Sequence, residues 1–314
     1  MAEQQSKKSK IFITGVSGCV GHYLFDALVK EPGFHLYLLV RDSSKLMFRY
    51  SDFPNVTVLF GGLGEIEKYS ELLGEMDYVV HLAAGWGDTE TNYDLSIKLF
   101  GFLDPARMKK VIYFSTASIL GSDNRLLSEA GRFGTPYIKG KYLCYQKLPE
   151  LPIYNKIITL FPTWVLGGDS RHPYSHALEG IKGLSRWLWL LRFISLDIRF
   201  HFIHAEDIAG IVNYLLQHEV KERKLVLGNP VTTADQFINE VCAYFKIPVY
   251  FKIPLSSTLV KSVAGIFGKS LSEWDRFSLE TRHFEYKTVY ARTYGLPSNH
   301  EKITSILAEI IPRG

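Results

Sequence analysis

Lys10-Ile-Phe-Ile-Thr-Gly-Val-Ser-Gly-Cys-Val-Gly21 runs from a short apolar, β-branched segment into three evenly spaced glycines, and a helical pattern begins at once. A strand feeding a helix through such a turn has a physical purpose at each glycine. Gly15 permits the tight turn, Gly18 lets backbone approach a pyrophosphate, and Gly21 lets the helix pack closely on its strand. The helix N-terminus then faces the phosphates with its free N–H groups. The turn, Gly15, Ser17, Gly18, Cys19, Val20 and Gly21, is therefore read as the binding site of a dinucleotide.

Working outward, short β-branched runs alternate with helical-period stretches through the first half. Strands are predicted at Ile11 to Thr14, His35 to Val40, Val56 to Phe60, Tyr78 to His81, Val111 to Ser115 and Ile157 to Phe161, with helices at about 19–31, 90–104 and 136–148. This is the signature of an α/β fold, a Rossmann-type doubly wound parallel sheet. After Pro162 the alternation breaks at a Gly/His/Pro-bearing stretch, and a strand at Phe202 leads to a helix at 207–217. Lys224 to Leu227 is expected to rejoin the sheet, and helical patterns at 232–245, 256–268 and 299–311 to build a smaller mixed C-terminal substrate lobe. The expected division is residues 1–165 plus about 202–230 for the dinucleotide-binding domain, and about 166–201 plus 231–314 for the substrate lobe.

The second strand ends at Val40 and is followed by Arg41, Asp42, two serines and Lys45, where the adenosine ribose is read. Arg41 and Lys45 suit a 2′-phosphate, whereas a carboxylate such as Asp42 suits a free 2′-hydroxyl. The expectation is NADP, with NAD as the alternative.

Composition removes other classes. Hydrophobic residues make up 46% of the 314 and charged ones 22%, which excludes a long disordered chain. Thirty-six basic against thirty-two acidic residues give +4, scattered rather than gathered into a stripe, so no nucleic acid partner is expected. Cys19, Cys144 and Cys242 show no metal-ligand or disulfide spacing, so no metal is expected and a reducing, cytoplasmic setting fits. Trp187 to Leu196 is too short to span a bilayer, and Met1 to Lys10 lacks the apolar core of a secretion signal, so it is read as a frayed tail.

Six motifs in order resemble the extended short-chain dehydrogenase/reductases, the NAD(P)-dependent epimerase/dehydratase family. They are Thr14 to Gly21, His-Leu-Ala-Ala at 81–84, Phe-Ser-Thr-Ala-Ser-Ile-Leu-Gly at 114–121, Tyr137-Ile-Lys-Gly-Lys141, Phe-Pro-Thr-Trp-Val-Leu-Gly at 161–167 and Phe-Ile-His-Ala-Glu-Asp-Ile-Ala at 202–209. Tyr137 and Lys141 lie one turn apart on a helix, so an ammonium beside the phenol is expected to lower its pKa and make it a proton donor or acceptor. The resemblance implies that Lys141 also grips the nicotinamide ribose, and that Thr116, with Ser118 second, binds the reacting oxygen. It places Leu82, Ala83 and Ala84 under the ribose and pyrophosphate, Gly62 and Leu63 beside the adenine, Ser115 at the strand end, and Pro162, Thr163, Trp164 and Val165 at the nicotinamide end. His81 is read as structural.

Three departures narrow the chemistry. Gly62 stands where the family usually has Asp, so the adenine contact loses a carboxylate. Phe161 stands where nucleotide-sugar enzymes commonly carry Arg, which counts against a sugar nucleotide. Ala117 and Ser118 stand where sugar dehydratases carry an Asp-Glu pair, which removes the acid and base for loss of water. Trp187, Trp189, Phe193, Phe200 and Phe267 concentrate in the substrate lobe and fit an apolar substrate, although aromatic residues at such spacing also serve as core. Trp86, Asp88, His172 and His176 are weaker candidates for the pocket. The reading is an oxidoreductase acting on a carbonyl or secondary alcohol. The alternatives are an epimerase passing through a transient ketone, and a regulatory protein that binds the dinucleotide without catalysis. Homodimerisation through the long helices flanking the sheet is compatible with the resemblance.

Overall fold

The computed structural model describes residues 8–185, 187–255 and 272–310. Its strands are β1 (Ser9–Thr14), β2 (Phe34–Val40), β3 (Val56–Phe60), β4 (Tyr78–His81), β5 (Lys110–Phe114), β6 (Ile157–Pro162) and β7 (Trp164–Leu166). There follow β8 (Ile194–Ser195), β9 (Arg199–Phe200), β10 (Phe202–His204), β11 (Lys224–Leu227), β12 (Thr232–Thr233), β13 (Ile253–Pro254) and β14 (Thr288–Val289). Helices α1 to α5 are Cys19–Leu28, Ser70–Gly74, Asp94–Gly101, Ser128–Phe133 and Pro136–Lys147. Helices α6 to α11 are His176–Ser185, Leu188–Leu191, Ala205–Gln217, Ala234–Tyr244, Glu273–Thr281 and Ile303–Ile310.

Eight strands form one parallel sheet in the order β14-β11-β6-β5-β4-β1-β2-β3. The order reverses between β1 and β4, and a ligand crevice opens at the carboxyl ends of strands flanking such a reversal. Strand alternation sends Ile11 and Ile13 to one face, where they pack with Leu24, Phe25 and Leu28 of α1 and with Ile208, Ile211 and Leu215 of α8. Phe12 points to the other face among Leu99 and Phe100 of α3 and Cys144 of α5. Both faces are covered, which is why the strands read as apolar runs. A separate apolar core joins Leu166, Leu178, Leu188, Phe202, Val241, Ile306 and Leu307.

The predicted strands are present with ends within two residues, and the sheet is the expected doubly wound one. Helix ends are shorter than their patterns, as at α1, which stops at Leu28, and α3, which covers only Asp94–Gly101. The eighth strand β14 is two residues long, below what periodicity detects. Helix α10 also went unpredicted, although Ser272 Oγ accepts from Asp275 N at 3.1 Å and the Asp275 carboxylate accepts from Ser272 N at 3.0 Å, a capping box. The helix expected at 256–268, Phe267 within it, and the first seven residues of the tail lie outside the described residues.

Candidate active site

The glycine turn sits against the end of β4. Gly15 has φ +78°, a left-handed conformation, and a Cβ there would lie 2.6 Å from Ala83 N. A Cβ on Gly21 would lie 2.6 Å from Val16 Cα, so α1 packs onto its strand only because Gly21 has no side chain. Gly18 is the N-cap of α1, its backbone extended, with no acidic residue in the first turn. The exposed helix N-terminus is free to receive an anion. Burial, reinforced by the charge of Asp169, pushes the Cys19 thiol up to about 12, so it stays neutral.

Buried polar side chains hold this turn in place. His22 Nδ1 donates to Gly18 O at 3.0 Å while its Nε2 accepts from Met47 N at 3.0 Å, tying the turn to the loop that carries Arg41 and Lys45. Burial lowers the His22 pKa, as the neutral tautomer requires. His81 bridges Thr14 Oγ1 at 2.7 Å and Ser96 Oγ at 2.9 Å, and Thr14 Oγ1 accepts from Ala83 N at 3.2 Å. Its pKa is held well below the ordinary value by burial. Leu82, Ala83 and Ala84 are thereby fixed beside Gly15, and His81 is structural. Asn92, fully buried, accepts from Gly85 N at 3.2 Å and donates to Gly85 O at 2.5 Å and Asp88 O at 2.8 Å, which shapes the loop after β4.

At the adenosine end, Arg41 and Lys45 have no side-chain hydrogen bond or ion pair among the described residues, and the Arg41 stem runs 3.7 Å from where a Gly62 Cβ would stand. Asp42 is occupied locally, accepting from Ser44 N at 3.0 Å and Ser44 Oγ at 2.6 Å. Leu63 is buried in the core beside Leu39 and Ile66.

Thr135 caps α5 by accepting from Ile138 N at 3.4 Å, with Pro136 in the first turn, and this start places Tyr137 and Lys141. The Thr116 hydroxyl lies beside the Tyr137 phenol, and Thr116 Oγ1 meets Ser118 Oγ at 3.2 Å and accepts from Ser118 N at 3.3 Å. Lys141, buried, donates to Phe114 O at 2.8 Å and lies 4.9 Å from the centre of the Tyr113 ring. Burial brings its pKa down to about 8. Ser115 is buried, its hydroxyl beside the Tyr113 phenol.

The expected lowering of the phenol's pKa is corrected. Burial pushes Tyr137 up to about 12, with the Thr116 hydrogen bond acting the other way, and the Lys141 ammonium does not offset burial because it is turned to the Phe114 carbonyl and the Tyr113 face. Trp86, 62% exposed, stacks on Tyr137 with ring centres 4.7 Å apart, and His176 meets Trp86 edge-on at 4.8 Å. These two of the weaker candidates do border the site. Asp88 and His172 do not. Asp88 Oδ1 accepts from Thr91 N at 2.5 Å, and His172 is buried between Asp26 and Asp169, stacked on Tyr23 at 3.8 Å.

Beside Ala117 and Ser118 opens a cavity of about 540 Å³, walled by Pro162, Thr163, Trp164, Leu188, Leu191, Leu196, Ile198, Phe200, Phe237, Ile238 and Val241, with Trp274, Ser278, Phe284 and Tyr286 completing it. Among the described residues, no Asp, Glu, Lys or Arg lines it. His201 is there too, but neutral and satisfied: its Nδ1 donates to Asn229 O at 2.7 Å and its Nε2 accepts from Tyr286 N at 3.0 Å. The Tyr286 phenol, pushed up to about 12 by burial, keeps its proton. Pro162, Thr163 and Trp164 thus face the cavity, whereas Val165 packs against the core around α1. Sequence reasoning missed His201, Tyr286 and the α9 and α10 walls, as well as His22 and Asn92.

One other polar group stands out. His204, Glu206 and His300 bring ligand-type atoms within 4.8 Å of one another. The two imidazoles stack at 3.8 Å, so their ring-plane lone pairs do not converge on one ion. His300 instead sits among carboxylates, with Glu309 at 2.9 Å and Asp207 at 3.5 Å, which raise its pKa to about 9 against the effect of burial.

Residues 11–228 match the family model described as the NAD dependent epimerase/dehydratase family. No curated protein matches the chain. Among solved structures, the terminal R domain from the myxalamid PKS-NRPS biosynthetic pathway is 16% identical, with a TM-score of 0.68 over 97% of this chain and 90% of that one. The structure titled gox2253 is 19% identical, with a TM-score of 0.64 over 90% of each chain. UDP-N-acetylglucosamine 4-epimerase from Methanobrevibacter ruminantium M1, in complex with UDP-N-acetylmuramic acid, is 19% identical with a TM-score of 0.59, covering 88% of this chain and 96% of that one. At these identities the likeness is one of fold.

Proposed function

The chain belongs to the NAD dependent epimerase/dehydratase family, and from that premise we propose that it is an NAD(P)(H)-dependent oxidoreductase that reduces a carbonyl, or oxidises a secondary alcohol, of a small apolar substrate. The observation that carries the substrate half is the cavity beside Ser118, whose described lining holds no charged side chain. A nucleotide sugar would bring a diphosphate into it, and buried negative charge without a cation is strongly unfavourable. A neutral apolar molecule meets no such cost, and gains from the area it buries.

The turn residues fit the cofactor on their own geometry: Gly15 and Gly18 leave room for phosphate against a free helix N-terminus. The site reading is Gly15, Ser17, Gly18, Cys19, Val20 and Gly21 at the pyrophosphate, Leu82, Ala83 and Ala84 beneath it, Gly62 and Leu63 at the adenine, and Ser115 and Pro162 to Val165 toward the nicotinamide. NADP is favoured because Arg41 and Lys45 are free while Asp42 is already bonded to Ser44.

When bound, the nicotinamide supplies or takes the hydride. The chain's own task is the proton. Tyr137 carries its proton at neutral pH and is the group that would give it to a carbonyl oxygen in the reductive direction. Thr116 orients that oxygen through its hydroxyl, which lies beside the Tyr137 phenol. Lys141, still protonated at neutral pH, supplies positive charge below the site and a donor to the ribose.

Epimerisation through a transient ketone is the second reading, favoured by the name of the family and by the neighbouring 4-epimerase. Purification followed by separate titrations with NADPH and NADH separates the two. The oxidoreductase is expected to arrive without cofactor and to bind NADPH about tenfold more tightly, the worth of one charge-assisted contact to phosphate. NAD retained through purification would favour the epimerase.

A further inference from the structure

One wall of the cavity is a single helical turn, α7, which is also partly exposed to solvent. Leu188 and Leu191, three residues apart and so on one face, line the cavity. Trp189 and Leu190 between them point outward, 60% and 42% exposed, and Trp187 just before is 51% exposed. Beside this turn lies a second exposed strip of Tyr250, Phe251 and Ile253. The two are joined: Ile253 N donates to Phe193 O at 2.7 Å, β13 pairs with β8, and the Phe193 and Phe251 rings stand 5.0 Å apart. Six large apolar side chains are therefore exposed on two joined segments, one of which also walls an apolar cavity.

Charge decides between two covers for such a face. Neither 187–196 nor 245–255 contains an acidic residue, while Arg192, Lys246 and Lys252 are cationic. Lys252 is already paired with Asp235 at 3.3 Å, which leaves Lys246 and Arg192, the latter held at the patch by donating to Pro248 O at 3.1 Å. A two-fold contact between copies would set Arg192 and Lys246 against their own images with no acid from either segment to pair them. An anionic lipid surface complements them, and Trp and Tyr, apolar bodies with polar tips, are the residues that rest at the water-lipid boundary.

We propose that this face, Trp187, Trp189, Leu190, Tyr250, Phe251 and Ile253, docks on an anionic lipid bilayer, so that the substrate is a membrane-dissolved neutral carbonyl compound that reaches the cavity past α7. The docking surface stands by itself; the substrate class rests on reading the cavity as the substrate site.

Sedimentation of the whole chain with vesicles of phosphatidylcholine, with and without phosphatidylglycerol, tests it. The chain is expected to sediment with vesicles, more strongly when they are anionic, and brominated phosphatidylcholine is expected to quench its tryptophan fluorescence. Trp189→Ser combined with Phe251→Ser is expected to weaken vesicle binding about tenfold or more, since each removes a large apolar contact. An unchanged NADPH titration shows that the variant is folded. Failure to sediment with either vesicle overturns the proposal, and so does a two-chain mass in solution that the double variant reduces to one. Vesicle binding by a chain that takes up neither NADPH nor NADH leaves the docking surface standing and removes the proposed function.

Discussion

The cofactor half and the substrate half of this site are built from opposite materials. Around the glycine turn, contact is made by backbone, and buried polar side chains hold that backbone: His22 between Gly18 and Met47, His81 between Thr14 and Ser96, and Asn92 around Gly85. Around the cavity, contact is made by scattered apolar side chains from α7, α9, α10 and the strands between, with no charge among the described ones. The first arrangement recognises a fixed ligand and tolerates little change in sequence. The second recognises only size and apolarity, so many sequences build it.

The sharpest way to break this contrast is at the residue where the halves meet. Tyr137→Phe keeps the ring under Trp86 and removes the proton donor, so turnover is expected to fall by about 10²- to 10⁴-fold with NADPH binding kept. Steady-state rates beside a cofactor titration check it. In the cofactor half, Gly15→Ala places a methyl against Ala83 N at a positive φ, and the strain is expected to cost about 3 kcal/mol of cofactor binding. Isothermal titration with NADPH reads that loss directly. An equally conservative change in the cavity, Ile238→Val, is expected to leave NADPH binding untouched.

Buried histidines of the cofactor half and His300, which lies outside the cavity, answer pH with opposite signs. His22 and His81 are kept neutral, their pKa values lowered by burial, so their contribution is complete above about pH 6.5 and is lost as pH falls. His300, raised to about 9 by Asp207 and Glu309, contributes fully below about pH 6.5 and loses its contribution as pH rises through about 9. His300→Gln is expected to flatten the alkaline limb of a melting temperature against pH curve, removing about 2 kcal/mol that the parent has at pH 7. The acid limb should be unchanged. The smallest effect is expected of Arg41→Ser, about tenfold in NADPH affinity with NADH unaffected, read by the paired titrations.

The same contrast governs what was legible in the sequence. The strands showed as β-branched runs because both faces of a parallel sheet are buried, and Gly15, Gly18, Gly21, Thr116, Tyr137 and Lys141 showed because turn geometry and helix spacing are local. His22 meets Met47 from 25 positions away, and Tyr286 N meets His201 from 85, so no window of sequence joins them. The state of Tyr137 was misread for the same reason: spacing put an ammonium on its helix face, but burial and the Phe114 carbonyl set where the charge lies and how the phenol behaves. The outward Trp189 between inward Leu188 and Leu191 is likewise visible only once the cavity is.

The most direct test of the central claim is the change in reduced-nicotinamide absorbance when the purified chain and NADPH are offered neutral apolar ketones and aldehydes on one side and UDP-hexoses on the other. The account predicts stoichiometric NADPH loss with at least one of the apolar carbonyls and none with the UDP-hexoses. A UDP-hexose epimerised with no net change in absorbance would contradict it.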